Sequence, residues 1–179
     1  GPAMNGYERD AATLASLQKL RFFPQSVVGG HGARLRADDG RDLIDLSGAW
    51  GAASLGYGHP ALVAAVTRAV ADPAGASVLS SANRAATALG ERLLGLFPSD
   101  RPQKVWLGHS GSDANETQAK LVWYYNNLRG LPKKKKIITR DRGYHGCSVI
   151  AGSMTGMSFY HDYMDLPVAG ILRTGVPHH

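Results

Sequence analysis

Between Gly108 and Thr117 the chain reads Gly108-His109-Ser110-Gly111-Ser112-Asp113-Ala114-Asn115-Glu116-Thr117, a run of small, hydroxyl and amide residues that opens a helical pattern. Its chemistry is that of an anion cradle. Glycine lets backbone approach a ligand closely. The first turn of a helix presents N–H groups that have no partner inside the helix, and the macrodipole adds the equivalent of roughly half a positive charge there. Alternatively, Ser112 or Asp113 simply caps the helix, since Asp113 with Glu116 fits an Asp form of the capping box. Some thirty residues on lies the turn-like Asp141-Arg142-Gly143-Tyr144-His145-Gly146. A phosphate held by the first loop, with the aromatic face of Tyr144 on a planar ring nearby, would suit a phosphorylated aromatic cofactor.

These residues need elements to place them. Gln103 to Leu107 is patterned as a short strand, and about Asp113 to Arg129 as a helix with Ala114, Thr117, Gln118, Leu121, Val122, Tyr125 and Leu128 on one face. Lys136 to Arg140 is a second strand, Cys147 to Met154 a weaker apolar segment, and Gly170 to Thr174 a further strand. Strand, helix and strand at this spacing imply parallel pairing with a right-handed crossover, hence an α/β layer. Both loops would then emerge at the carboxyl edge, where open α/β sheets bind ligands.

Upstream, Ala11, Leu14, Leu17 and Leu20 give a helical period over Tyr7 to Leu20, which Phe22-Phe23-Pro24 stops. Ala33 to Ala37 and Arg41 to Leu46 flank Asp38-Asp39-Gly40 and spell a hairpin. A glycine-rich loop from Ser47 to Pro60 carries Trp50 and Tyr57. Pro60 suits the first position of a helix over Ala61 to Ala71, apolar nearly all round and so expected to be buried. A helix over Asn83 to Phe97 is closed by Pro98.

Composition narrows the class. With 179 residues, 44% hydrophobic and 19% charged, the chain can bury one good core and has no long disordered span. The net charge of +6 directs attention to acidic partners, but its densest run, Lys133 to Lys136, follows a turn signal and reads as a solvated loop rather than a nucleic-acid arm. A non-enzymatic phosphate- or nucleic-acid-binding module built on that run is the alternative from another class. The lone Cys147 fits a reducing compartment and a small buried residue. His59, His109 and His161 form no ligand set, and read as satisfied or exposed side chains. No apolar run is long enough to span a bilayer and the amino end has no signal-peptide core, so a cytoplasmic protein is expected. Gly1-Pro2-Ala3-Met4 looks like an expression scar, and Asn115-Glu116-Thr117 is a chance match to a glycosylation acceptor.

Three ordered motifs together resemble the pyridoxal-phosphate-dependent class III aminotransferases, especially the omega-transaminases. They are Asp39-Gly40-Arg41-Asp42 leading through Ser47-Gly48-Ala49-Trp50 to Gly56-Tyr57-Gly58-His59-Pro60, then Ser110 to Glu116, then Gly143-Tyr144-His145-Gly146. The chain has Asp113 where the family often has Glu. The resemblance implies an α/β fold, the aspartate aminotransferase-like fold type I, with residues 5–59 as an amino-terminal segment and 60–179 as the first part of the cofactor-binding large domain, truncated at its end. It implies that Gly111 and Ser112 bind the cofactor phosphate, that Ser110 shapes the turn, and that Tyr144 stacks on the pyridine ring with His145 and Gly146 supporting it. Trp50 would wall the substrate pocket, with Phe22 or Phe23 beside it; outside the resemblance these aromatics would read as ordinary packing. The Schiff-base lysine and the carboxylate for the pyridine nitrogen come later in the family than any residue here, and Lys104, Lys120 and Lys133 to Lys136 do not take that role. The implied function is transfer of an amino group from an amine donor to a keto acid such as pyruvate, by a homodimer, with the segment alone inactive. A decarboxylase or aminomutase using the same cofactor is the alternative within the superfamily.

Overall fold

The computed structural model describes residues 3–16, 22–72, 81–98, 100 and 104–177. The chain divides into two compact units, Gly1–Arg84 and Ala85–His179.

In the first unit, α1 (Gly6–Thr13) starts at a full capping box: Asn5 Oδ1 accepts from the Glu8 N–H, and Glu8 Oε2 accepts from the Asn5 N–H, both at 2.9 Å. The helix is shorter than the periodicity from Tyr7 to Leu20 predicts, because Leu14 already has extended backbone (φ −97, ψ 138); Leu17 and Leu20 lie outside the described residues. The expected hairpin is present as β2 (Arg34–Ala37) and β3 (Asp42–Ile44), with Arg36 opposite Asp42 and Gly40 at φ 86 in the turn. A strand missing from the sequence pattern, β1 (Val27–His31), adds antiparallel to β2 and completes the order β1-β2-β3. Its Val-Val-Gly-Gly-His sequence hides the strand, yet at Gly30 a Cβ would lie 3.0 Å from the Arg34 carbonyl oxygen and from Leu35 Cδ2, a close approach that favours glycine. α2 (Pro60–Ala71) has Pro60 in its first turn as expected. Its expected burial is not found: Leu62, Val63, Val66 and Val70 are 48–83% exposed, since no described part of the unit covers them.

The second unit contains α3 (Arg84–Leu94) from its second residue on, α4 (Gly111–Leu128), β4 (Ile137–Arg140), α5 (Val149–Met154) and β5 (Ile171–Thr174). β4 and β5 pair in parallel, from Ile137 opposite Ile171 to Arg140 opposite Thr174, with α5 on the crossover; the expected parallel pairing of residues 103–107 with 136–140, which would have put both loops at one carboxyl edge, is not found among the described residues. The expected strand at Gln103 to Leu107 does not form: residues 104–107 have no ladder partner among the described residues, Trp106 is 67% exposed, and Gln103 lies outside them. An apolar run becomes a strand only when a neighbour takes its backbone groups.

The core of this unit is small and polar. Ala151, Ser153 and Met154 of α5, with Thr155 just after it, are buried, as are Thr117, Ala119 and Asn126 of α4 and Thr139 of β4. Of the expected apolar stripe of α4 only Thr117 is buried, whereas Leu121, Val122, Tyr125 and Leu128 are exposed. Nor is the lysine run uniformly solvated. Lys135 Nζ donates to the Trp123 carbonyl at 3.1 Å and to Asn127 Oδ1 at 2.7 Å, while Trp123 Nε1 returns a bond to the Lys135 carbonyl at 3.0 Å. A cation at the last turn of a helix is favourably placed against its dipole.

Candidate active site

Ser110 is the residue that starts α4. Its extended backbone (φ −161, ψ 168) turns the chain into the helix, and its Oγ accepts from the Asp113 N–H at 3.1 Å. The helix therefore begins two residues earlier than the apolar period implies, and Asp113 with Glu116 is not the capping box. Asp113 reaches back instead, its Oδ2 accepting from the His109 N–H at 3.0 Å. The N–H groups of Gly111 and Ser112 are left without an acceptor among the described residues. At Gly111 an added Cβ would meet nothing within 4 Å.

The second loop is bound to this helix start. Ser112 Oγ accepts from the Cys147 N–H at 3.2 Å, which leaves its own proton free to donate. Asn115 Nδ2 donates to the His145 carbonyl at 2.7 Å. Thr155 Oγ1 accepts from the His145 N–H at 2.9 Å and donates to the Gly146 carbonyl at 2.8 Å. The loop bearing Tyr144 is thus fixed on one side to α4 and on the other to the end of α5. Tyr144 is 57% exposed, with the Tyr160 ring centroid 5.5 Å away. Partial burial pushes its phenol above the usual value, and Cys147 and Tyr160 add to the rise. Cys147 is exposed rather than buried as expected; only its backbone amide is engaged with Ser112.

Glu116, which the sequence placed in a cap of its own helix, caps a different one. Its Oε1 accepts from the N–H groups of Ile150 (2.6 Å) and Ala151 (3.1 Å) at the start of α5. Burial alone would raise this carboxyl; the neighbouring Ser148 hydroxyl, which makes no hydrogen bond of good geometry, together with the two amides and Lys120, outweighs it and holds the group below the ordinary value.

The first unit presents Trp50 on a left-handed turn. Gly48 (φ 58), Ala49 (φ 48), Trp50 (φ 59) and Gly51 (φ 91) follow one another in this region, which costs an alanine or tryptophan about 1–3 kcal/mol each. Asp45 holds the turn: its Oδ1 accepts from the Ser47 N–H, the Ser47 hydroxyl and the Gly48 N–H, each at 2.9 Å, and its Oδ2 accepts from the Tyr57 hydroxyl at 2.6 Å. The Tyr57 and Ser47 hydrogen bonds lower the Asp45 pKa to about 2. Trp50 is 86% exposed and Phe22 lies parallel to it, ring centroids 6.3 Å apart; Phe23 is 74% exposed.

Asp45 had a local signal, a carboxylate two residues before Ser-Gly at Asx-turn spacing. Glu116 and Thr155 act across gaps of 34 and 10 residues, which local patterns do not reveal. His161 Nε2 lies 2.9 Å from the Gly152 carbonyl and His109 is exposed, whereas the buried Nδ1 of His59 has no partner among the described residues, contrary to the expectation that it would be satisfied or exposed. Among the described residues no group of three or more His, Cys, Asp or Glu could hold a metal ion, and no helix is long and apolar enough to cross a membrane.

The family model for class-III aminotransferases matches residues 18–178. An uncharacterized aminotransferase, y4uB, of Sinorhizobium fredii is 52% identical over 90% of this chain and 34% of its own length. The diaminobutyrate–2-oxoglutarate transaminase of Halomonas elongata is 39% identical over 86% of this chain and 33% of its own. Among solved structures, the omega transaminase of Pseudomonas jessenii in complex with PMP superposes with a TM-score of 0.86 at 31% identity, covering 98% of this chain and 40% of that one. The chain thus spans about a third of the length of the curated relatives it matches. With an α/β fold shared over nearly its whole length and the family match covering its cradle and its Tyr144 loop, the chain belongs to the class-III aminotransferases.

Proposed function

We propose that the whole protein is a pyridoxal-phosphate-dependent transaminase that moves an amino group from an amine donor to a keto acid such as pyruvate. The observation that carries this is the interlock of the two loops: the Cys147 amide on Ser112 Oγ and the Asn115 amide on the His145 carbonyl fix the Tyr144 loop to the start of α4. The residues present fit the cofactor. The free N–H groups of Gly111 and Ser112 and the Ser112 hydroxyl proton suit its phosphate, with Ser110 setting the turn, and the half-exposed Tyr144 suits its ring, with His145 and Gly146 beneath. Bound there, the cofactor would supply the electron sink that amino transfer needs. The chain's part is to hold the phosphate, orient the ring and keep the loop from closing over the cradle. No lysine takes the catalytic role in this proposal, since Lys120 is exposed on α4 and Lys135 is tied to the end of that helix.

On the substrate side we assign Trp50 and Phe22, stacked on each other, and Phe23 beside them as pocket walls. The strained, Asp45-held turn supports this, because backbone strain concentrates where a side chain must be presented. A homodimer in a reducing compartment such as the cytoplasm belongs to the same proposal, supported by the uncovered apolar side chains of α2 and α4 and by the lone exposed Cys147. The test is to supply the whole protein with pyridoxal phosphate, a panel of amines and pyruvate. Alanine should form in step with loss of amine; release of carbon dioxide, or an isomerised amine with no alanine, would instead indicate a decarboxylase or aminomutase.

A further inference from the structure

Arg173 of β5 has no carboxylate partner among the described residues, yet its guanidinium is saturated with oxygen acceptors. It donates to the backbone carbonyls of Ser153 (2.6 Å), Met154 (2.5 Å) and Thr155 (2.5 Å), and to Thr139 Oγ1 (2.5 Å), with His161 Nε2 3.5 Å away. The three carbonyls are those exposed at the end of α5, where a helix has no internal donors left and where its dipole favours a cation. The opposite end of α5 receives the Glu116 carboxylate on the amides of Ile150 and Ala151. A helix of six residues is too short to hold itself together. Here an anion from α4 and a cation from β5 pin it at both ends.

The clamp extends to the neighbouring loop through the residue after α5. Thr155, whose carbonyl Arg173 holds, is also the residue whose hydroxyl accepts from the His145 N–H and donates to the Gly146 carbonyl. We infer that Arg173 is a positioning residue for the cofactor-side loop, acting through Thr155 to hold Tyr144, His145 and Gly146 against the start of α4. The inference rests on the assignment of that loop to the cofactor. Arginine is specifically required: its planar fork of five donors reaches three successive carbonyls and a hydroxyl at once, whereas a lysine ammonium offers three donors from one point.

The test uses the whole protein and its cofactor. Arg173→Lys, Thr155→Val, Thr155→Ser and the Arg173→Lys/Thr155→Val double variant are stripped of cofactor and titrated with pyridoxal phosphate, the dissociation constant being read from the cofactor's absorption while circular dichroism verifies that each variant is folded. Arg173→Lys and Thr155→Val should each weaken binding about threefold to tenfold, the worth of one or two hydrogen bonds. The double variant should be no weaker than Thr155→Val alone, because both act along one path, and Thr155→Ser should bind like wild type. Wild-type affinity in Arg173→Lys, or effects of the two substitutions that multiply, would overturn the inference. Ser112→Ala separates the positioning role from the cofactor assignment beneath it. If it too binds normally, the cofactor assignment fails; if it binds weakly while Arg173→Lys and Thr155→Val bind normally, only the positioning role does.

Discussion

Gly146 approaches Ser112 so closely that a methyl group added to its Cα would overlap the Ser112 hydroxyl, lie 2.9 Å from Ser112 Cα and lie 2.8 Å from the Ala151 Cβ. Gly146 also has φ 127, a backbone conformation that side chains rarely adopt. Both constraints act on Gly146→Ala, which should lose about 1–3 kcal/mol of stability and bind pyridoxal phosphate more weakly. Denaturant unfolding and cofactor titration of the whole protein check the two effects; an unperturbed variant would mean that the loop does not sit on Ser112.

Glu116→Ala should release the start of α5. Two amides lose their acceptor, a change worth about 1–2 kcal/mol at a helix start. The pH dependence follows from the sign of the shift. Because the folded-state carboxyl lies below the ordinary 4.5, its contribution is complete above that pH and fades as pH falls through the lower folded value. The stability gap between wild type and Glu116→Gln, followed by denaturant unfolding, should therefore narrow below about pH 4.5.

Asp45 gives a second acid-sensitive point. Its carboxyl is lowered from 3.8 to about 2, so the hold on the Trp50 turn is full above pH 3.8 and is lost as pH falls towards 2. Asp45→Ala should let Gly48 to Gly51 leave the left-handed region. The measured sign would be altered discrimination among bulky amine donors, with no change in the cofactor dissociation constant. Tyr57→Phe, which removes one of the four bonds to Asp45, should show the same effect in weaker form.

Lys135→Met should lower stability by about 0.5–1 kcal/mol, through loss of the cation at the end of α4. Lys133→Met and Lys136→Met should each lie within about 0.5 kcal/mol of wild type, as surface substitutions do. Parallel melting curves distinguish the three. Equal losses would return Lys135 to the solvated run.

The parts of the fold legible in the sequence were those fixed by local pattern. β4, β5 and the middle of α4 follow from apolar period and turn residues, and the Asp38-Asp39-Gly40 turn fixes the hairpin register. What the pattern could not give depends on neighbours distant in the chain. β1 exists because β2 offers it an edge, while Trp106 and its flanking residues have the composition of a strand and no described partner. The exposure of α2 and of Leu121 and Leu128 is invisible in a helical period, which marks an apolar face without saying what covers it. In the candidate site, Ser110, Gly111, Ser112 and Tyr144 stand out by residue type. The contacts that lock the loops together do not: Asn115 and Glu116 belong to a motif whose partners local pattern does not name, while Thr155 and Arg173 carry no sequence signal.

The claim that the start of α4 and the Tyr144 loop together hold pyridoxal phosphate is tested most directly by the cofactor dissociation constant of the whole protein. It should be measured by titrating the stripped wild type, Ser112→Ala and Tyr144→Ala and following the cofactor's absorption. Each substitution should weaken binding about tenfold or more, through a lost hydrogen bond to a charged group in one case and a lost ring contact in the other. Wild-type affinity in both variants would contradict the site.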